Sequence, residues 1–250
     1  MHFTRLGMGL AAALFCLEAR ASFDMSPIIA TVAPSGGAAS ISFTLTNADD
    51  TKTPVQVGIF HREPDVDGKE KYVESKDIGE MFQIYPAQII LGPKEKRTVR
   101  VTYVGDPKIK SEMAFRIIAE EFPINVSDPE KFKHKAVASI QIASKYVGSL
   151  YVTPASAKPD IQVEVTPNAV PGGNQMVMQI SNKGTTHELL KKPKFKFYPI
   201  TTNKEVVVEA EDLPGVGGQN ILAGKTRKFV MKWPKQVPVG SAKVTVEVSK

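Results

Sequence analysis

The stretch Lys135-Ala-Val-Ala-Ser-Ile-Gln-Ile-Ala-Ser-Lys-Tyr-Val-Gly-Ser-Leu-Tyr-Val-Thr-Pro154 decides how this chain reads. It carries almost no charge, alternates in side-chain character for much of its length and stops at a proline. Strands in globular proteins run about 5–6 residues, so one of roughly 17 or 18 is unusual. A long apolar strand at a sheet edge invites aggregation. A chain that keeps one has a use for it, and adding that strand to a second chain is a use with a physical basis. The competing reading is a core strand of a sandwich, where inward-facing sequences of this kind are ordinary.

Residues i and i+2 of a strand share a face. Ala138, Ile140 and Ile142 therefore form one face, with Ala136 and Ser144 at its ends. Val137, Ser139, Gln141, Ala143 and Lys145 form the other. Only the first face sets two large β-branched side chains among small ones. Each isoleucine, if fully buried in a partner, contributes about 1.5–3 kcal/mol.

The rest of the chain has an all-β texture. Ile28–Val32 is a first run, closed by Pro34-Ser-Gly-Gly37. Ile41, Phe43 and Leu45 alternate on one face, as do Val55, Val57 and Ile59. The polar stretch Arg62–Gly79, with a turn signal at Asp67-Gly68, reads as a long loop or peripheral hairpin. Phe82–Tyr85, Arg97–Val104 and Ala114–Glu120 are further strands. Pro154, Ser156 and Pro159 mark a boundary, and short runs follow at 161–166, 176–181, 195–199, 206–210, 228–232 and 244–248. Many short strands separated by Gly, Pro and Asn turns indicate β-sandwiches of ordinary domain size. The expected division is a signal peptide at 1–21, a first domain at 22–156 and a second at 157–250.

The N-terminus reads as an export signal. A short apolar run, Leu6 to Leu17, precedes Ala19-Arg20-Ala21, an A-x-A cleavage pattern before Ser22. That run is shorter than the roughly 20 residues a membrane span needs. Cys16 is the one cysteine and leaves with the signal, so the mature chain holds no disulfide. The formal net charge is +6. It sits in the second half: from residue 158 onward there are 14 Lys and Arg against 8 Asp and Glu, while 22–157 carries 16 against 17. No nucleic-acid recognition motif accompanies this charge, so a solvated basic surface is the expectation.

No enzyme is expected. His2, His61, His134 and His187 are scattered, with no H-x-x-x-H pair and no cysteine to join them in a metal site. There is no G-x-S-x-G elbow. The glycines at 215–218 lack the Lys-Ser/Thr of a phosphate loop and read as a turn. Asp49, Asp50, Asp65 and Asp67 read as solvated loop carboxylates. No cofactor or metal is expected.

Several of these pieces also resemble a known family. Phe82-x-Ile-Tyr-Pro86-x-x-Ile-Ile-Leu91-x-Pro93, followed by Val99-Arg100-Val101, is similar to a signature of the PapD-like periplasmic pilus chaperones. Glu112-Met-Ala-Phe-Arg-Ile-Ile-Ala-Glu-Glu-Phe-Pro-Ile124 resembles their strand F, and Ile140-Gln-Ile-Ala143 with Leu150-Tyr-Val-Thr-Pro154 resembles their strand G. The resemblance covers most of residues 24–154; the second half is similar only in size and texture.

The resemblance implies two immunoglobulin-like β-sandwich domains in an L-shaped arrangement, located in the periplasm. It also implies donor-strand complementation: strand G is lent to a pilus or fimbrial subunit that lacks its own last strand, and the subunit is passed to an outer-membrane usher. The subunit-binding residues would be Ala138, Ile140, Ile142 and Ser144. Typical members grip the subunit's terminal carboxylate with an Arg on the first strand and a Lys late in strand G. The matching positions here, near Thr31 and Ser149, are not basic. Arg116, similar to an Arg of the archaic and alternate branches, and Lys145, the base inside the long strand, are the candidate anchors. A divergent branch is implied. A self-capping homodimer would protect the strand without a client. The alternative is a structural or adhesive two-domain secreted sandwich with no client.

Overall fold

The computed structural model describes residues 21–73, 75–122, 143–170 and 173–248. These residues form two β-sandwiches, each around its own apolar cluster.

The first contains β1 (Phe23–Ser26), β2 (Ile29–Val32), β3 (Ser40–Asn47), β4 (Thr53–Pro64), β5 (Glu70–Val73), a short helix α1 (Lys76–Met81), β6 (Phe82–Tyr85), β7 (Gln88–Leu91), β8 (Lys96–Tyr103), β9 (Met113–Glu121) and β10 (Lys145–Val152). One sheet has the order β1-β3-β8-β6. The other has the order β2-β10-β9-β4-β5, with β7 also on β4. The alternation read from sequence is the reason they close on each other. Phe43 and Leu45 from one sheet, and Val55, Val57 and Ile59 from the other, are all buried in the shared core. Phe115, Ile117, Leu150 and Val152 complete it.

One departure from the sequence reading matters here, and one choice it left open is settled. The first strand begins at Phe23, and it changes sheets: β1 pairs with β3, and after Ser26-Pro27 the chain joins β10 as β2. Pro27 has no N–H for a ladder, which favours the break there. The polar stretch after Arg62 is a hairpin: β4 runs on to Pro64 and β5 returns against it. Asp65 builds its turn, accepting from the Asp67 and Lys69 amides at 3.0 and 2.9 Å. Such local bonding is why Asp favours turns.

The second sandwich has the sheet β15-β14-β18-β11-β12-β17 and a two-residue ladder, β13-β16. Its strands are β11 (Ile161–Val170), β12 (Gly173–Asn182), β13 (Glu188–Leu189), β14 (Lys194–Pro199), β15 (Val206–Glu209), β16 (Asn220–Ile221), β17 (Thr226–Lys232) and β18 (Ala242–Glu247). Met176, Met178, Ile180, Phe195, Phe197 and Trp233 fill the core.

Each sandwich also closes on a buried asparagine at a strand end. Asn47 donates to the carbonyls of Thr51 and Gly92, both at 2.7 Å, and accepts from the Asp49 amide at 2.8 Å. Asn182 donates to the carbonyls of Thr186 at 2.7 Å and Ile221 at 2.9 Å, and accepts from the Gly184 amide at 2.9 Å.

Candidate functional site

The two halves of β10 have different neighbours. Ser149–Val152 are flanked on both sides, by β2 in parallel and β9 antiparallel. Lys145–Gly148 pair with β9 alone among the described residues. The sheet change of the first strand causes this, because β2 reaches β10 only from Ile29 onward. Gly148 marks the crossing point. A Cβ there would stand 2.9 Å from the Ile28 carbonyl oxygen and 2.9 Å from an Ile117 methyl, so only glycine admits this approach. Beside it Ile28 and Ile29 are 44% and 65% exposed, an apolar margin to the half-paired strand.

The described strand is therefore shorter than the sequence reading expected. It starts at Lys145; Ala143 and Ser144 precede it without strand geometry. Of the four expected subunit-binding residues, Ala138, Ile140 and Ile142 lie outside the described residues. Ser144 is described: its hydroxyl accepts from the Ser22 amide at 3.0 Å.

The two candidate anchors are not brought together. In the register of β9 and β10, Lys145 faces Glu120 and Arg116 faces Ser149. Lys145 is half exposed and pairs with Glu120 at 3.0 Å. Hydrogen bonds from Gln56 and then Lys145 hold the Glu120 carboxyl below its ordinary pKa. Arg116 lies in a buried charge cluster of the first sandwich. Its Nη1 donates to the Ser149 hydroxyl at 2.6 Å. Its Nε and Nη2 grip both oxygens of Glu70, each at 2.8 Å. A second guanidinium, Arg62, holds the same carboxylate at 2.6 Å. All three side chains are largely buried, at 10–17% exposure, so two fixed positive charges share one carboxylate.

From this cluster a polar chain runs into the second sandwich. Arg62 donates to the Tyr151 hydroxyl at 2.8 Å, as does Asn220. The Tyr151 ring stacks on His187 with centroids 4.1 Å apart. His187 Nδ1 lies 2.7 Å from Glu112 Oε1, which also accepts from the His187 amide at 3.0 Å. Glu112 Oε2 accepts from the Thr153 and Thr186 hydroxyls, both at 2.7 Å. Burial pushes the Glu112 carboxyl up, but the hydrogen bonds from His187, Thr186 and Thr153 outweigh it, and its pKa lies below the ordinary value.

The β4–β5 hairpin supplies a separate link. Its tip reaches β17, an edge strand of the second sandwich's larger sheet, where the Lys228 amide donates to the Val66 carbonyl at 2.7 Å. Lys228 Nζ also pairs with Asp67 at 3.1 Å.

Arg62, Glu70, Glu112, Tyr151, His187 and Asn220 were not singled out as site residues by sequence. Their signal is weak: Arg62 and Glu70 sit in a polar stretch, and Asn220 lies in a ladder of two residues.

No family model matches this chain, and no curated protein does. Solved structures do. A chain of the chaperone–tip adhesin complex of CFA/I fimbriae biogenesis superposes with a TM-score of 0.59 at 15% identity, over 91% of this chain and 95% of its own. The class 5 fimbriae chaperone CfaA gives 0.58 at 15% identity, over 91% and 92%. A chain of the CsuC–CsuE chaperone–tip adhesion subunit pre-assembly complex, from the archaic chaperone-usher Csu pili of Acinetobacter baumannii, gives 0.58 at 16% identity, over 90% and 98%. The chain thus has the two-sandwich fold of the fimbrial chaperones.

Proposed function

We propose that this protein is a periplasmic chaperone, without catalytic activity, that binds pilus subunits by donor-strand complementation and hands them to an outer-membrane usher. The observation that carries the reading is the half-paired strand β10. Four residues, Lys145–Gly148, have one ladder neighbour among the described residues, β9, and exposed Ile28 and Ile29 lie beside the end of that section. An unpaired edge with apolar surroundings suits the addition of an incoming strand, which satisfies backbone groups while side chains bury. The donor face would be Ala138, Ile140, Ile142 and Ser144, continuing from this edge.

For the anchor of the client's terminal carboxylate we propose Arg116. Its guanidinium reaches Ser149, the position where the resemblance expects a lysine, so a cation is supplied from the neighbouring strand. Arg62 adds a second charge through their shared partner Glu70. An incoming carboxylate would join or replace Glu70. Lys145 is the lesser candidate, being tied to Glu120 at the other end of the strand.

The test is a photo-crosslinking residue at position 142, expressed in the native host. A crosslink to a small exported β-rich subunit supports strand donation and identifies the client. A crosslink to a second copy indicates a self-capping homodimer. Ile140→Asp with Ile142→Asp leaves the protein folded and abolishes subunit capture on this reading; unchanged capture overturns it.

A further inference from the structure

Ser22 is the residue that the proposed export reading makes the first of the mature chain, and its surroundings are specific. Its carbonyl accepts from the Ala48 amide at 2.9 Å, which fixes its backbone. The next residue, Phe23, is fully buried and packs its ring 5.2 Å from that of Tyr146. The Ser22 nitrogen donates to the Ser144 hydroxyl at 3.0 Å. The Ser22 hydroxyl donates to Glu121 Oε2 at 2.9 Å, and the Ser144 amide lies 3.4 Å from the same oxygen. The two sides are tied again by the Glu121 amide, which donates to the Ser144 carbonyl at 3.0 Å. The neighbouring carboxylate, Glu120, already has Lys145 and Gln56. Glu121 has no Lys, Arg or His partner among the described residues.

We propose that this pocket is a binding site for a primary ammonium group, and that its ligand is the α-amino terminus created when residues 1–21 are removed. The inference rests on the export reading. In the uncleaved chain the Ser22 nitrogen is an amide with one hydrogen to donate. After cleavage it is an ammonium with three, and an α-amino group with an ordinary pKa of about 7.7–8.0 is mostly charged at neutral pH. One hydrogen keeps the Ser144 hydroxyl; the Glu121 carboxylate, which already accepts from the Ser22 hydroxyl, is the neighbouring counter-charge for the others. A neutral hydrogen bond becomes charge-assisted, and such bonds are roughly twice as strong.

The position gives the site its consequence. Ser144 directly precedes Lys145, where the half-paired section of β10 begins. Processing therefore fastens the start of that section. In the precursor the Ser22 nitrogen is a neutral amide, and the cationic clamp is missing. Leader removal acts as a maturation step for the edge as well as for export.

The experiment uses the full mature chain with its authentic start at Ser22, released from a cleavable fusion, and the same chain with Ala21 retained. The Ser22 form is expected to melt about 2–4 °C higher, the shift expected for one added charge-assisted bond in a chain of this size. Its amides at 144–148 should exchange several-fold more slowly. Glu121→Gln should erase both differences, so that the two starts melt and exchange alike in the variant; a difference that persists in Glu121→Gln overturns the carboxylate's part in the site. Equal melting and equal exchange of the two starts overturn the ammonium site, whatever the protein captures. N-terminal sequencing of exported protein separates this from the export reading: Ser22 as first residue supports the proposal, and another start or an intact leader overturns it at its premise. Loss of client capture by the Ile140 and Ile142 variants bears on strand donation alone.

Discussion

Asn47 and Asn182 stand at the same kind of corner in two different sandwiches, and the chain uses the corners differently. Each is buried at the end of a strand, donates to the carbonyl four residues on and accepts from the amide two residues on. Each also donates across to the chain before the strand that pairs with its own: Asn47 to Gly92 ahead of β8, Asn182 to Ile221 ahead of β17. Around Asn47 the loop is turned outward, with Ala48 and Asp50 exposed and Asp49 half-buried. Around Asn182 the loop is taken over by the junction. Lys183 and Thr185 donate to Asp160 and Lys158 of the connecting segment at 2.7 and 2.8 Å. Thr186 and His187 hold Glu112 of the first sandwich. A shared solution to closing a sandwich also holds, in the second sandwich, the connecting segment and Glu112 of the first.

The largest effects should come from the asparagines. Replacing either by alanine orphans several buried backbone groups, at about 1–3 kcal/mol per group, so a loss of about 4 kcal/mol is expected from each. Trp233, the one tryptophan, lies in the second core and reports on it. Asn182→Ala should move the tryptophan-detected denaturation midpoint, and Asn47→Ala should leave it in place while lowering the midpoint seen by circular dichroism. If Asn47→Ala moves the tryptophan signal as far, the corners are not separable.

Gly184→Ala probes what the second corner has acquired. Its Cβ would stand 2.3 Å from the Lys158 carbonyl oxygen and 2.4 Å from the Asp160 nitrogen, both backbone atoms. The connecting segment must move, at about 1–3 kcal/mol. Limited proteolysis near residue 157 should accelerate, and cleavage as slow as in the parent would show that the segment absorbs the methyl.

Glu112→Gln is expected to cost about 2–3 kcal/mol at neutral pH, since a buried carboxylate loses its charge opposite the Thr153 and Thr186 hydroxyls and the His187 amide and ring. The sign with pH follows from its lowered pKa. A depressed carboxyl contributes fully above the unfolded value of about 4.3 and loses that contribution as pH falls through the lower folded value. The gap between variant and parent should therefore close on acidification through that range; a constant gap in urea titrations would assign the loss to packing instead. The smallest effect should be Lys228→Ala. Its partner Asp67 is more than half exposed, and such pairs contribute about 0–1 kcal/mol.

Much of the first sandwich was legible because its strands obey a period of two, with Phe43, Leu45, Val55, Val57 and Ile59 all inward. What stayed hidden has physical reasons. β1 has four residues, ends at Pro27 and belongs to a different sheet from β2, so no local pattern announces it. The β13–β16 ladder is two residues long. Of the candidate site, Arg116 and Lys145 could be proposed, but not their fates. Those depend on Glu70 and Glu120, which come from distant strands and look like surface carboxylates in the sequence. The half-paired section of β10 depends on which described strands reach it, and β2 does so only from Ile29 onward.

The hairpin tip at Val66 has one more implication. Its bond to β17 is made by a carbonyl and an amide of the main chain. Such a clasp is written in no particular letters. Any residue serves at 66, and at 228 any residue that keeps an N–H, which bars proline alone. Ancestry can rewrite both positions without loosening it, so the joint between the sandwiches can outlast the likeness of the sequences that build it.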